Sequence, residues 1–212
     1  MSDELIDRLS ASIAPVRPGA MRARLVTGLV LGMVAAAVLM LAWLGLRPDL
    51  AAAVVTPIFW AKFAFTLVLT GFGLWAVERL ARPGGKLRTP LVAVFATIAV
   101  TAGAGIVQVI LAHPEDVRRL VLGGSALVCP FYIMALSLPI LVVNVLVMRK
   151  LAPTNLPAAG FAAGLLAGAA GSWVYAFHCT ESGLPFITLW YVAGILAVAL
   201  LGAALGRWLL RW

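Results

Sequence analysis

Six apolar stretches, each long enough to cross a bilayer, fill most of the 212 residues of this chain. They fall at roughly 25–46, 57–77, 90–111, 120–147, 156–177 and 184–205. A helix crosses the hydrocarbon core with about 20 apolar residues. A chain of this size that is 63% hydrophobic and 11% charged, with mean hydropathy +1.06, has no use for so much apolar surface in water. Lipid is therefore the solvent for most of it. The expected fold is all-α and polytopic: six transmembrane helices over residues 25–212, behind a polar N-terminal segment over residues 1–24. The fourth stretch is long and interrupted by Pro130 and Pro139, so its effective span is shorter. The first span is longer than the roughly 7–15-residue core of a cleavable signal and is expected to stay in place.

The net charge is +8 and the isoelectric point near 10.5. In a soluble protein that balance would suggest nucleic acid, but here the positions of the charges explain it. Arg8, Arg17, Arg22, Arg24, Arg79, Arg82, Lys86, Arg88, Arg149, Lys150, Arg207 and Arg211 fall on one side of the spans. Arg47, Arg118 and Arg119 fall on the other, and Lys62 lies within a span. Cytoplasmic segments carry the excess of Lys and Arg. Both termini are expected to be cytoplasmic, with the loops near 47–56, 112–119 and 178–183 outside. Direct nucleic-acid binding is not expected. The outer loops hold both histidines, both cysteines, and Asp49, Glu115, Asp116 and Glu181.

The first residues read as a short amphipathic helix. Ser2 suits an N-cap, and Asp3 and Glu4 suit the first turn beside the helix dipole. Leu5, Leu9 and Ile13 recur every four residues with Ile6 beside them, and Pro15 and Pro18 end the run. So short a helix is marginal alone in water and needs something to pack against. The membrane surface, the inner loops and an apolar groove on a soluble partner are the three hosts. The polar face carries three acids and one Arg, which disfavours a lipid surface.

Within the spans, Gly160, Gly164 and Gly168, Gly28 and Gly32, and Gly202 and Gly206 stand four apart. Small residues at that spacing let membrane helices approach closely. Lys62 is expected to snorkel outward, and Gln108 and Asn144 to bridge helices near their ends. No span carries repeated acids or a histidine pair on one face, and no phosphate loop, zinc-protease pair or Ser-His-Asp set is present. An enzyme is not expected.

Cys129 and Cys179 are the two cysteines of the chain, and both fall at the outer face. Three chemistries fit them. Outside the inner membrane they could form a reversible disulfide. They could capture a soft metal transiently, with His178 or Glu181 as a further ligand. They could also be unrelated apolar fillers. No resident cofactor is expected. A small transporter would need a polar path that the spans lack, and a thiol-redox enzyme would usually need a second relay pair; these are the alternative readings.

The run Tyr175-x-x-His178-Cys179-x-Glu181-x-x-x-Pro185-Phe186-x-x-x-Trp190-Tyr191-x-x-Gly194 is the most specific part of the chain. It is joined by Ala152-Pro153-Thr154-Asn155, by Cys129 ahead of Pro130 and Pro139, and by Asp3-Glu4-Leu5-Ile6-Asp7-x-Leu9 in the tail. Together these resemble the NrsF family of bacterial inner-membrane anti-sigma factors. The resemblance implies six spans and a cytoplasmic N-terminal segment that holds an extracytoplasmic-function (ECF) sigma factor. Leu5, Ile6, Asp7 and Leu9 match the start of that segment, and Ile13 continues its stripe. It also implies that Cys129 and Cys179 are the sensing pair for metal or oxidant stress.

Overall fold

Helices of this apolar character must find partners by shape, because lipid tails compete equally for their side chains. The computed structural model, which describes residues 19–82, 84–151 and 153–211, shows how they do so. The six spans are α1 (Ala20–Trp43), α3 (Pro57–Leu80), α4 (Arg88–Leu111), α6 (Cys129–Arg149), α7 (Leu156–Tyr175) and α8 (Leu184–Leu209). Two short helices lie between spans: α2 (Leu50–Ala53) and α5 (Pro114–Leu122). The all-α, six-span fold expected from the sequence is the one observed. The sequence expectations for residues 1–18, including Leu5, Ile6, Asp7, Leu9 and Ile13, lie outside the described residues.

The bundle is organised around α7. Nearly every residue of this helix is buried, and it packs against α8, α3, α6 and α1. Its composition explains why. Gly160, Gly164 and Gly168 face α8, where Gly202 and Gly206 return the contact. A Cβ on Gly160 would collide with the carbonyl oxygen of Gly202, and one on Gly202 with that of Gly160. The two backbones therefore touch, as small residues four apart permit. By contrast α4 rests on α3 and the start of α8 and exposes Val92, Phe95, Val100, Ile106 and Ile110 to lipid.

The fourth apolar stretch does not form one long broken helix. It splits into α5, a turn over residues 123–128, and α6. Gly123 ends α5 at a φ of 53°, a conformation that favours glycine. Pro130 then sits in the first turn of α6, where a missing N–H costs nothing, so only Pro139 is internal to the helix. Near the start of α8, residues Ile187–Tyr191 form a π-helical turn. Such turns are rare and often fall at functional sites.

Candidate functional site

The link from α7 to α8 is the polar centre of the molecule. After Tyr175 the chain makes one tight turn, with the N–H of Cys179 donating to Tyr175 O at 3.0 Å. Residues 179–183 then run without helical structure to Leu184, at the head of α8. Backbone carbonyls in such a stretch have no helical donors, yet buried ones must find partners. The other elements supply them.

Lys62, from α3, is 1% exposed and donates through Nζ to Cys179 O at 3.0 Å and to Glu181 O. The expected snorkel toward water is not what it does. It is held inward because the loop offers two carbonyl acceptors, and its ammonium also stands 5.8 Å from the ring centre of Tyr191. Arg47, just beyond α1, donates from Nη1 to the same Cys179 O at 3.1 Å and from Nη2 to Thr180 O at 3.4 Å. Its Nε and Nη2 also form a bidentate pair with Asp49, both at 2.8 Å. That bond holds the Asp49 carboxyl below the usual carboxylate range and the Arg47 guanidinium above its ordinary value.

The remaining elements are tied to the same loop. The Glu181 carboxylate accepts from the Gly124 N–H at 2.8 Å and from Ser125 Oγ at 3.1 Å, in the turn before α6. Gln108 of α4 accepts from the Leu184 N–H at 2.9 Å, so it does bridge two helices. Trp190 Nε1 donates to Val121 O of α5 at 2.9 Å. His178 Nδ1 lies 3.0 Å from Gly45 O; a carbonyl only accepts, so Nδ1 donates the proton of this bond. Thus α3, α4, the stretch after α1 and the turn before α6 all hold one short segment, which carries Cys179.

Cys129 opens α6, its N–H donating to Ser125 O at 2.9 Å, and is fully buried. Cys179 is 3% exposed. Both are free thiols. Aromatic rings wall this region: Tyr175 stands 5.8 Å from both Tyr191 and His178, and Tyr132 stands 6.0 Å from Tyr175. The two segments bearing the thiols are joined by the Glu181 bonds. Among the described residues no group of three or more His, Cys, Asp or Glu side chains is placed to hold a metal.

The cysteine-bearing loop that the sequence singled out is held by Lys62 and Arg47, which sequence reasoning did not place there. A Lys inside a span was the available signal. Asn144 differs from Gln108: it is fully buried, and neither amide atom has a partner.

The fold and site define a class, a six-helix membrane protein whose polar contacts at one end of the bundle converge on one cysteine-bearing loop. The chain belongs to the NrsF family: the matching family model, described as "Negative regulator of sigma F", covers residues 9–212. It is 41% identical over 212 residues to an anti-sigma-F factor NrsF of Caulobacter vibrioides (strain NA1000 / CB15N), covering 100% of this chain and 99% of that protein. It is 38% identical over 218 residues to a probable anti-sigma-F factor NrsF of Azospira oryzae (strain ATCC BAA-33 / DSM 13638 / PS), with the same coverage. No solved structure matches.

Proposed function

We propose that this protein is an anti-sigma factor of the bacterial inner membrane, holding an ECF sigma factor inactive and releasing it when the outer thiols react. The observation that carries the reading is full-length identity to a relative named as an anti-sigma-F factor. The excess of Lys and Arg at the end bearing the termini supports a cytoplasmic tail. In this reading residues 1–24 present Leu5, Ile6, Leu9 and Ile13 to an apolar groove on the sigma factor, with Asp7 beside them. The protein acts by sequestration, not by turnover.

The geometry of the cysteine loop supports a route for release. In a disulfide step, Cys129 and Cys179 lose two protons and pass two electrons to the oxidant as the S–S bond forms. In a metal step, two protons leave and two thiolates take the soft cation. Either change pulls the head of α6 toward the α7–α8 loop and strains the bonds from Arg47 and Lys62 to Cys179 O. Gly45 and Arg47 are tied to His178, Phe177 and Cys179 just beyond the end of α1. That helix of 24 residues, about 36 Å long, begins where the tail ends. A rigid helix moved at one end carries the displacement to the other. A coupling of about 1–3 kcal/mol between loop and tail would suffice for a useful switch.

The test is co-purification of a sigma factor with the full-length protein and with its Leu5→Asp, Leu9→Asp variant. Recovery with the unaltered protein alone is expected. Equal recovery by both would remove the tail from the reading, and recovery by neither would remove the sigma factor.

A further inference from the structure

At the opposite, Lys- and Arg-rich end, α1 and α6 part to leave a groove of about 590 Å³. Its walls are Ala23, Thr27, Gly28 and Leu31 on α1, and Val143, Leu146 and Val147 on α6, with Arg24 and Lys150 completing the lining. The two helices run in opposite directions, so Arg24 and Lys150 meet at the mouth while Leu31 and Val143 meet at depth. Each pair is separated by seven residues, about 10 Å of helix. That depth is about a third of the hydrocarbon core. The groove is therefore cationic where it opens to the membrane surface and apolar below it. Among the described residues no acidic one lines it.

We propose that this groove binds the headgroup and upper acyl chain of an anionic phospholipid. A phosphate at the mouth meets the Arg24 guanidinium and the Lys150 ammonium, both on exposed residues. Among the described residues neither forms an ion pair. Arg149 and Lys150 at the end of α6 offset the negative helix terminus there. A zwitterionic headgroup brings its own cation to the same two positive charges, so the groove selects for net negative charge. Basic pockets between membrane helices on the cytoplasmic side are a recognised place for such headgroups. The apolar walls take the first part of the acyl chain, and Gly28 keeps the floor low against Val143 and Val147. The site stands on the groove and its charges, whatever the tail binds. It also sits at the start of α1, so a bound lipid would wedge the helix that leads from the tail.

The test uses full-length protein reconstituted in vesicles of equal phosphatidylglycerol and phosphatidylcholine, then extracted for native mass spectrometry. The unaltered protein should retain one phosphatidylglycerol in preference to phosphatidylcholine. Two basic residues near a membrane surface amount to roughly 30-fold in preference for a negative lipid. Arg24→Gln with Lys150→Gln should abolish most of that preference, while Arg118→Gln with Arg119→Gln, at the other end, should keep it. A photocrosslinking residue at Leu31 should capture phosphatidylglycerol. Equal retention of both lipids by the unaltered protein, or an undiminished preference in the Arg24 and Lys150 variant, overturns the proposal. So does capture from position 31 of the protein's own tail or of a second copy.

Discussion

Replacing Lys62 by Met removes the one donor that reaches both Cys179 O and Glu181 O, while keeping most of the side-chain volume. Cys179 O retains Arg47 at 3.1 Å, but Glu181 O loses the donor that Lys62 provided. Glu181 O is part-buried, so leaving it unmade costs at most the roughly 1–3 kcal/mol of a fully buried acceptor. Lys62 is 1% exposed, so water does not stand ready to take its place in the closed loop. Removing a buried cation also removes its desolvation cost, which offsets part of the loss in the whole protein but not in the loop itself. The loop should then open more often, by at most about 5- to 150-fold. The assay is the rate at which a water-soluble maleimide labels Cys179 from the outer side of sealed vesicles. Cys129, fully buried at the head of α6, is the internal control. Faster labelling of Cys179 with Cys129 still slow is the expected result. An unchanged Cys179 rate would refute the reasoning that Lys62 holds the loop shut. Equal acceleration at both thiols would mean that the whole bundle, not the loop, had loosened.

Two further outcomes follow from the same contacts. Asn144→Leu removes two buried amide atoms without partners and keeps the volume, so the protein should melt at a higher temperature in detergent, each unmade polar group being worth about 1–3 kcal/mol; a lower melting temperature would contradict this. Asp49 is held below its ordinary value of 3.8 by Arg47, so the pair is fully formed above that pH and is lost as pH falls through the lowered value; the Cys179 labelling rate, divided at each pH by that of a free model thiol because only the thiolate reacts, should rise in that acid window, and Asp49→Asn should flatten the profile.

The bundle was readable because its signals are local or periodic. Six apolar lengths, the alternation of Lys and Arg across them, and the four-residue spacing of Gly160, Gly164 and Gly168 and of Gly202 and Gly206 are all visible in the sequence; that the two glycine sets face each other is not. Gln108 as a helix bridge was also readable, being a polar side chain near the end of a span. Lys62 was not, because its fate depends on where a loop more than a hundred residues away places its carbonyls. Arg47 entered the sequence reading as one charge among those that set topology, and nothing local marks it as the partner of Cys179. The division of the fourth stretch had a visible signal in Gly123-Gly124-Ser125, overridden by the apolar run around it. Asn144 offers no sequence cue to separate it from Gln108; only packing decides which finds a partner.

The central claim is that chemistry at Cys129 and Cys179 changes the hold on a sigma factor at the far side of the bundle. The most direct measurement is the fraction of sigma factor retained by full-length protein in sealed, correctly oriented vesicles, before and after adding a soft metal ion or a thiol oxidant outside. The unaltered protein should lose its sigma factor, and the Cys129→Ser, Cys179→Ser variant should keep it. Loss from the variant as complete as from the unaltered protein would contradict the account.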